Sequence, residues 1–177
     1  MKLRDYESVV GRDVIEELYL IAEKLKGKKI QNINSTAVGG GVAEILNRMI
    51  PFLQELGIDA TWDVIKGGEE FYKITKKIHN ALHGKGEAIS PVECEHFLEI
   101  NERNKGVLRP DADIFFIHDP QPAALVRYKK ELGKRWIWRC HIDISVANQE
   151  VWRFVRSFVE NYDGSVFSAP SFSFPIP

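Results

Sequence analysis

The stretch DADIFFIHD (residues 111–119) places four consecutive apolar residues, Ile114 to Ile117, between acidic ends. A run with no wet face is the pattern of a strand buried on both sides, as in a parallel sheet. His118 and Asp119 close the run, and Pro120 stops the strand from continuing. Both side chains are therefore expected where the strand emerges from the sheet.

On its N-terminal side the chain repeats strand then helix. Residues 13–26 put Val14, Leu18, Ile21, Ala22 and Leu25 on one helical face, with Asp13 and Glu16 at capping-box spacing and Gly27 past the end. KKIQNINST (28–36) reads as a strand around Ile30 and Ile33, followed by Gly39-Gly40-Gly41 and a helix over 42–57. Pro51 lies inside that helix and is expected to kink or split it. IDATWDVI (58–65) alternates as a second strand and ends at Gly67-Gly68; a helix through Phe71, Ile74, Ile78 and Leu82 follows. Residues 90–106 form a surface helix with Ser90 as cap, Pro91 in its first turn and Glu93 at the third position.

On its C-terminal side, residues 123–132 read as a helix closed by Gly133. RWIWRCHID (135–143) alternates, with Trp136, Trp138, Cys140 and Ile142 on one side and Ile137, Arg139, His141 and Asp143 on the other. Residues 148–164 make a helix capped by Asn148, and SVFSA (165–169) a last short strand. Strands alternating with helices demand an open, mostly parallel sheet with right-handed crossovers and helices on both faces: an α/β, Rossmann-like domain over 1–169. The tail 170–177, with three prolines and two phenylalanines, resembles the start of an interdomain linker.

Composition removes several function classes. With 24 Lys and Arg against 25 Asp and Glu, the net charge of −1 gives no general field for a nucleic-acid backbone. Cys94 and Cys140 lack any CxxC spacing and read as free thiols, the N-terminus lacks a leader's apolar region, and no 18-residue apolar run spans a membrane. The expectation is a cytoplasmic protein without nucleic-acid or membrane partners. His79 and His83 stand four apart on a helix, but HNALH has Asn where a zinc protease has its base and no third ligand is evident, so no metal is expected.

Ligands of open parallel sheets bind beyond the carboxyl ends of the strands. There the sequence supplies Gly39-Gly40-Gly41, His118-Asp119-Pro120-Gln121 and His141-Ile142-Asp143. The glycines suit either an anion nest at a helix start or a purely structural turn. Asp119 before Pro120 suits either a grip on substrate hydroxyls or a turn. Arg139, His141 and Asp143 form a row of cation, imidazole and carboxylate that reads as ligand contacts or as a satisfied ion pair.

VGGGVAEILNRMIPFLQELG, DIFFIHDPQPAALV and WIWRCHIDIS together resemble the N-terminal domain of GT-B retaining glycosyltransferases of the glycogen synthase and sucrose synthase group, and within it the trehalose glycosyltransferring synthases. The resemblance spans essentially the whole chain. It implies the acceptor-binding half of an enzyme that moves glucose reversibly from ADP- or UDP-glucose to free glucose, giving α,α-trehalose with retention. It further implies that Gly39, Gly40 and Gly41 face donor phosphates or acceptor, that Asp119 grips acceptor hydroxyls and that His141 contacts the donor sugar. His118, Gln121, Arg139 and Asp143 would line the same subsite, and Trp62, at the end of the second strand, would stack on the acceptor ring. No tightly bound cofactor is implied; the nucleotide sugar is a substrate, and Mg²⁺ is admitted as an activator. The basic pair that neutralises the leaving diphosphate belongs to the family's C-terminal domain, so this chain is expected to be inactive alone. An apolar surface facing that absent domain leaves homo-oligomerisation open. A noncatalytic sugar- or nucleotide-binding module is the alternative. A dehydrogenase fragment would need GxGxxG, which VGGGVAE does not supply.

Overall fold

The chain runs through the short helix α1 (Glu7–Val10) and α2 (Arg12–Ala22) into β1 (Lys29–Asn34), then α3 (Gly41–Glu55), β2 (Asp59–Val64), α4 (Glu69–Leu82) and α5 (Pro91–Arg103). It continues through β3 (Ile114–His118), α6 (Lys129–Leu132), β4 (Arg135–Arg139), α7 (Gln149–Val159) and β5 (Gly164–Val166). The computed structural model describes residues 2–173. All strand pairings in it are parallel, in the order β2-β1-β3-β4-β5. This is a doubly wound order whose direction reverses between β1 and β3, the place where such sheets open a crevice beyond their strand ends.

The continuous apolar run of β3 serves both faces. Phe115 and Ile117 join the main core with Trp136, Trp138, Phe71, Phe97 and Val155 from β4, α4, α5 and α7. Ile114 and Phe116 face a smaller cluster of Ala22, Ile30, Ile58 and Ala60 with Leu53 of α3. The alternation of this stretch has the same cause: Trp136 and Trp138 of β4 are buried, and so are Cys140 and Ile142 just past its end.

Several boundaries differ from the sequence reading. α2 has no capping box: Gly11, at φ 87°, leads into it, and Glu16 pairs with Arg12 at 2.6 Å. Only Ile15 and Ala22 of this helix are buried, while Val14, Leu18 and Ile21 of the expected apolar face stay exposed. α3 passes through Pro51 without splitting, because Asn47, whose carbonyl loses its partner, is exposed and open to water. The expected helix over 123–132 is a 3₁₀ stretch, Ala123–Tyr128, followed by the single turn of α6. Four consecutive residues of it, Ala123 to Val126, are enclosed in the core. β4 ends at Arg139 rather than 143 because both neighbours stop there: Asp119 donates its N–H to the Arg139 carbonyl and turns away, and β5 is only three residues long. Pro170–Phe172 forms a 3₁₀ turn, and the Ile144 N–H donates to the Phe172 carbonyl at 3.1 Å. The rest of the tail, 174–177, lies outside the described residues.

Candidate functional site

At the β1/β3 reversal the chain leaves a cleft of about 200 Å³. One wall is the loop after β1, from Asn34 through Gly39 to Gly41, and the first turn of α3; the other is His118, Asp119 and Gln121 after β3, with His79 of α4 closing the side. Gly39 and Gly40 hold φ of 75° and 89°, which side chains rarely adopt, whereas Gly41 does not. The first N–H groups of a helix have no partner within it, so this wall presents donors. Asn34 braces the loop by donating to the Thr36 carbonyl at 2.8 Å, and Thr36 Oγ1 donates to the Val38 carbonyl.

Asp119 is held in an unusual backbone state, φ 63°, the only non-glycine residue with positive φ among those described. Such strain persists only where surrounding structure fixes it. The fixing bonds are visible: its carbonyl accepts from Trp138 Nε1 at 3.0 Å, and its Oδ1 accepts from the His141 N–H at 2.8 Å. Burial pushes its carboxyl up to about 6, against the opposing pull of that N–H and of Arg139. His118 is buried and its Nδ1 lies 3.1 Å from His141 Nε2, with the rings stacked at 5.4 Å. Desolvation, then the neighbouring His141 and Arg139, lower His118 to about 3; desolvation and Arg139 lower His141 to about 4. Both imidazoles are neutral at physiological pH. Gln121 lines the cleft, and its Oε1 is buried without a hydrogen-bond partner in the protein.

The tertiary structure thus gathers Gly39, Gly40, Gly41, His118, Asp119 and Gln121 around one space and binds His141 to its wall. Three expected members lie elsewhere. Trp62 is mid-strand on the edge strand β2, and its Nε1 donates to Asn34 Oδ1 at 2.8 Å, so it supports the loop from behind. Arg139 spends its guanidinium on Ser168 Oγ and the Cys140 carbonyl, at 2.9 and 3.3 Å. Asp143 accepts from the Ser145 N–H at 2.9 Å in a local turn. The row of Arg139, His141 and Asp143 is broken because β4 ends at its first member, Arg139.

Three contributors were missed. Asn32 and Asn34 are buried polar residues of central β1, and polar residues in a strand closed on both edges were the signal. His79 shares a helical face with the buried Thr75 and Leu82, which placed it beside the core rather than in solvent. Among the described residues no three His, Cys, Asp or Glu side chains converge as metal ligands, and no helix is long and apolar enough to cross a membrane. A larger groove of about 740 Å³ between α6 and α7 has exposed Arg127 and Lys130 on its rim but no buried polar group.

Comparison with known proteins adds the family. The model of a family described as trehalose synthase, N-terminal domain, matches residues 32–174, a span that contains every residue of the cleft. The chain belongs to this family. It is 44% identical over 177 residues to trehalose synthase of Pyrococcus horikoshii, covering 98% of this chain and 42% of that protein. To trehalose synthase of Thermococcus litoralis it is 45% identical over 168 residues, covering 94% and 40%. The chain therefore spans about two fifths of the length of these trehalose synthases. Among solved structures it resembles α,α-trehalose 6-phosphate synthase from Burkholderia multivorans, with a TM-score of 0.56, 18% identity, and coverage of 82% of this chain and 41% of that one. That likeness concerns the fold, and agrees with a Rossmann-like half of the GT-B type.

Proposed function

We propose that this trehalose synthase family domain is the acceptor-binding half of a retaining glycosyltransferase that moves glucose from ADP- or UDP-glucose to free glucose, forming α,α-trehalose reversibly. The observation that carries the reading is the cleft at the β1/β3 reversal, where the buried Asp119 carboxylate and the neutral His118, each bonded to His141, stand with Gln121 across from a loop of backbone donors. Neutral sugars are bound through hydroxyls that both donate and accept, and this set offers both kinds of partner, its one charge being the Asp119 carboxylate.

In this reading Asp119 accepts from acceptor hydroxyls and orients the attacking oxygen, His141 contacts the donor sugar beside it, and Gln121 lines the same subsite. Holding both reactants in one geometry is the contribution such a half-site makes to rate. No Lys or Arg lines the cleft. The charge that develops on a leaving diphosphate needs preorganised cations, and these would come from the part of the enzyme that the relatives have beyond the aligned span.

The test uses the 177-residue chain. Glucose is expected to perturb the signals of Asp119 and its neighbours in an NMR titration, and Asp119→Ala to weaken that binding ~10-fold, the scale of a lost hydrogen bond to a charged group. With ADP- or UDP-glucose and glucose together, no sustained release of nucleotide or trehalose is expected. Turnover at the rate of a full-length relative overturns the half-site reading, and glucose binding unaffected by Asp119→Ala removes Asp119 from the acceptor site.

A further inference from the structure

Asn32 is fully buried in β1, and its side-chain amide nitrogen donates to the Thr61 carbonyl of β2 at 3.2 Å. That bond fixes the amide, since turning it over would set two oxygens against each other. Asn32 Oδ1 then faces His118 Nε2 at 3.1 Å, and an amide oxygen can only accept. His118 must therefore carry its proton on Nε2. A neutral ring has one proton, so His118 Nδ1 is bare, and the His141 Nε2 3.1 Å away must bring the hydrogen of that contact. His141, neutral in turn, is left with a lone pair on Nδ1 that has no partner among the described residues. His141 is half-buried and bonded to His118 and Asp119, two residues that line the cleft. The neighbouring charges are Asp119, which takes the His141 N–H, and Arg139, which is committed to Ser168 and a carbonyl.

We propose that Asn32 is a positioning residue that, acting through His118, holds His141 in the tautomer whose free Nδ1 is an acceptor, so that the subsite beside Asp119 takes a hydroxyl donor and turns away the oxygens of an anion. The ligand side of this inference rests on the sugar-transfer reading above. The proton arrangement rests on hydrogen-bond geometry and on the neutrality of both rings, which burial and the nearby Arg139 enforce.

Ring nitrogen signals of the ¹⁵N-labelled chain at neutral pH report each tautomer directly. Both His118 and His141 are expected to be protonated on Nε2. Asn32→Leu, similar in size but unable to accept, is expected to release His118 toward the Nδ1–H form and to move His141 with it, although nothing touching His141 has changed. Glucose is expected to shift the His141 Nδ1 signal, sulfate, which has no O–H to donate, is not, and Asn32→Leu is expected to weaken the glucose response ~10-fold. A wild-type His141 protonated on Nδ1 overturns the proposal, and this measurement stands even if the Leu variant does not fold. Unchanged tautomers in a folded Asn32→Leu chain overturn it as well, as does a His141 ring that answers sulfate or ignores glucose. Should the ring respond to glucose while full-length relatives make no trehalose, it is the transfer reading that fails and not this one.

Discussion

Asp119 combines three features that separately cost stability: burial of a carboxylate, positive φ, and a position before proline. Its folded pKa of about 6 lies above the 3.8 of a free aspartate. The stability it contributes is thus fully present below about pH 3.8 and is lost as pH rises through about 6. At pH 7.5 the ionised form weakens the fold by up to about 3 kcal/mol. Asn cannot ionise, tolerates the left-handed backbone and still accepts the His141 N–H. Asp119→Asn is therefore expected to melt above the wild-type temperature at pH 7.5 and near it at pH 4, while losing the charged grip on sugar hydroxyls. Parallel melting curves of the two proteins from pH 4 to 8 check this; a constant difference across that range would show that the carboxylate is not sealed from water.

The loop between β1 and α3 is where conformation and ligand access can be separated. Gly40 needs its positive φ, so Gly40→Ala is expected to cost about 1–2 kcal/mol in a denaturant titration. Gly41 sits at the helix start with ordinary φ and open space where a Cβ would go. Gly41→Ala is expected to leave stability unchanged or raise it by up to about 1 kcal/mol. If a ligand approaches this backbone, the added methyl still weakens its binding. A stable Gly41→Ala chain with unaltered ligand affinity would show that the third glycine serves no contact.

Stability of the whole molecule should fall in mild acid. His118 and His141 have folded pKa values of about 3 and about 4 against 6.5 for a free imidazole. Their neutral-state contribution is complete above about pH 6.5, and it is lost as pH drops toward 4, because unfolded imidazoles bind protons that the folded ones refuse. Asp119 acts in the opposite sense over part of this range, so the Asp119→Asn background exposes the histidine effect alone. In that background, urea midpoints are expected to decline steadily from pH 6.5 to 4, and replacing His118 by Gln should flatten the decline. A midpoint independent of pH in the Asp119→Asn chain would mean that the imidazoles are solvated.

The strand run of DIFFIH, the alternation of RWIWRC and the order of strands and helices were enough to set the parallel sheet, because a run buried on both faces has no other home than between two helical layers. The same logic placed His118 and Asp119 at a strand end and the glycines in the facing loop, and so named half of the residues that line one cleft. Tertiary structure decided the rest. Where β4 stops depends on the lengths of its neighbours, so the fate of Arg139 and Asp143 could not be read from their alternation. Trp62 lies behind the loop because β2 is the edge strand, a fact of strand order rather than of its own stretch. Asn32 gains meaning only when β1 becomes central between β2 and β3. Buried there, its amide must be satisfied from both sides, and the partners that satisfy it, Thr61 and His118, come from strands 29 and 86 residues away in the chain.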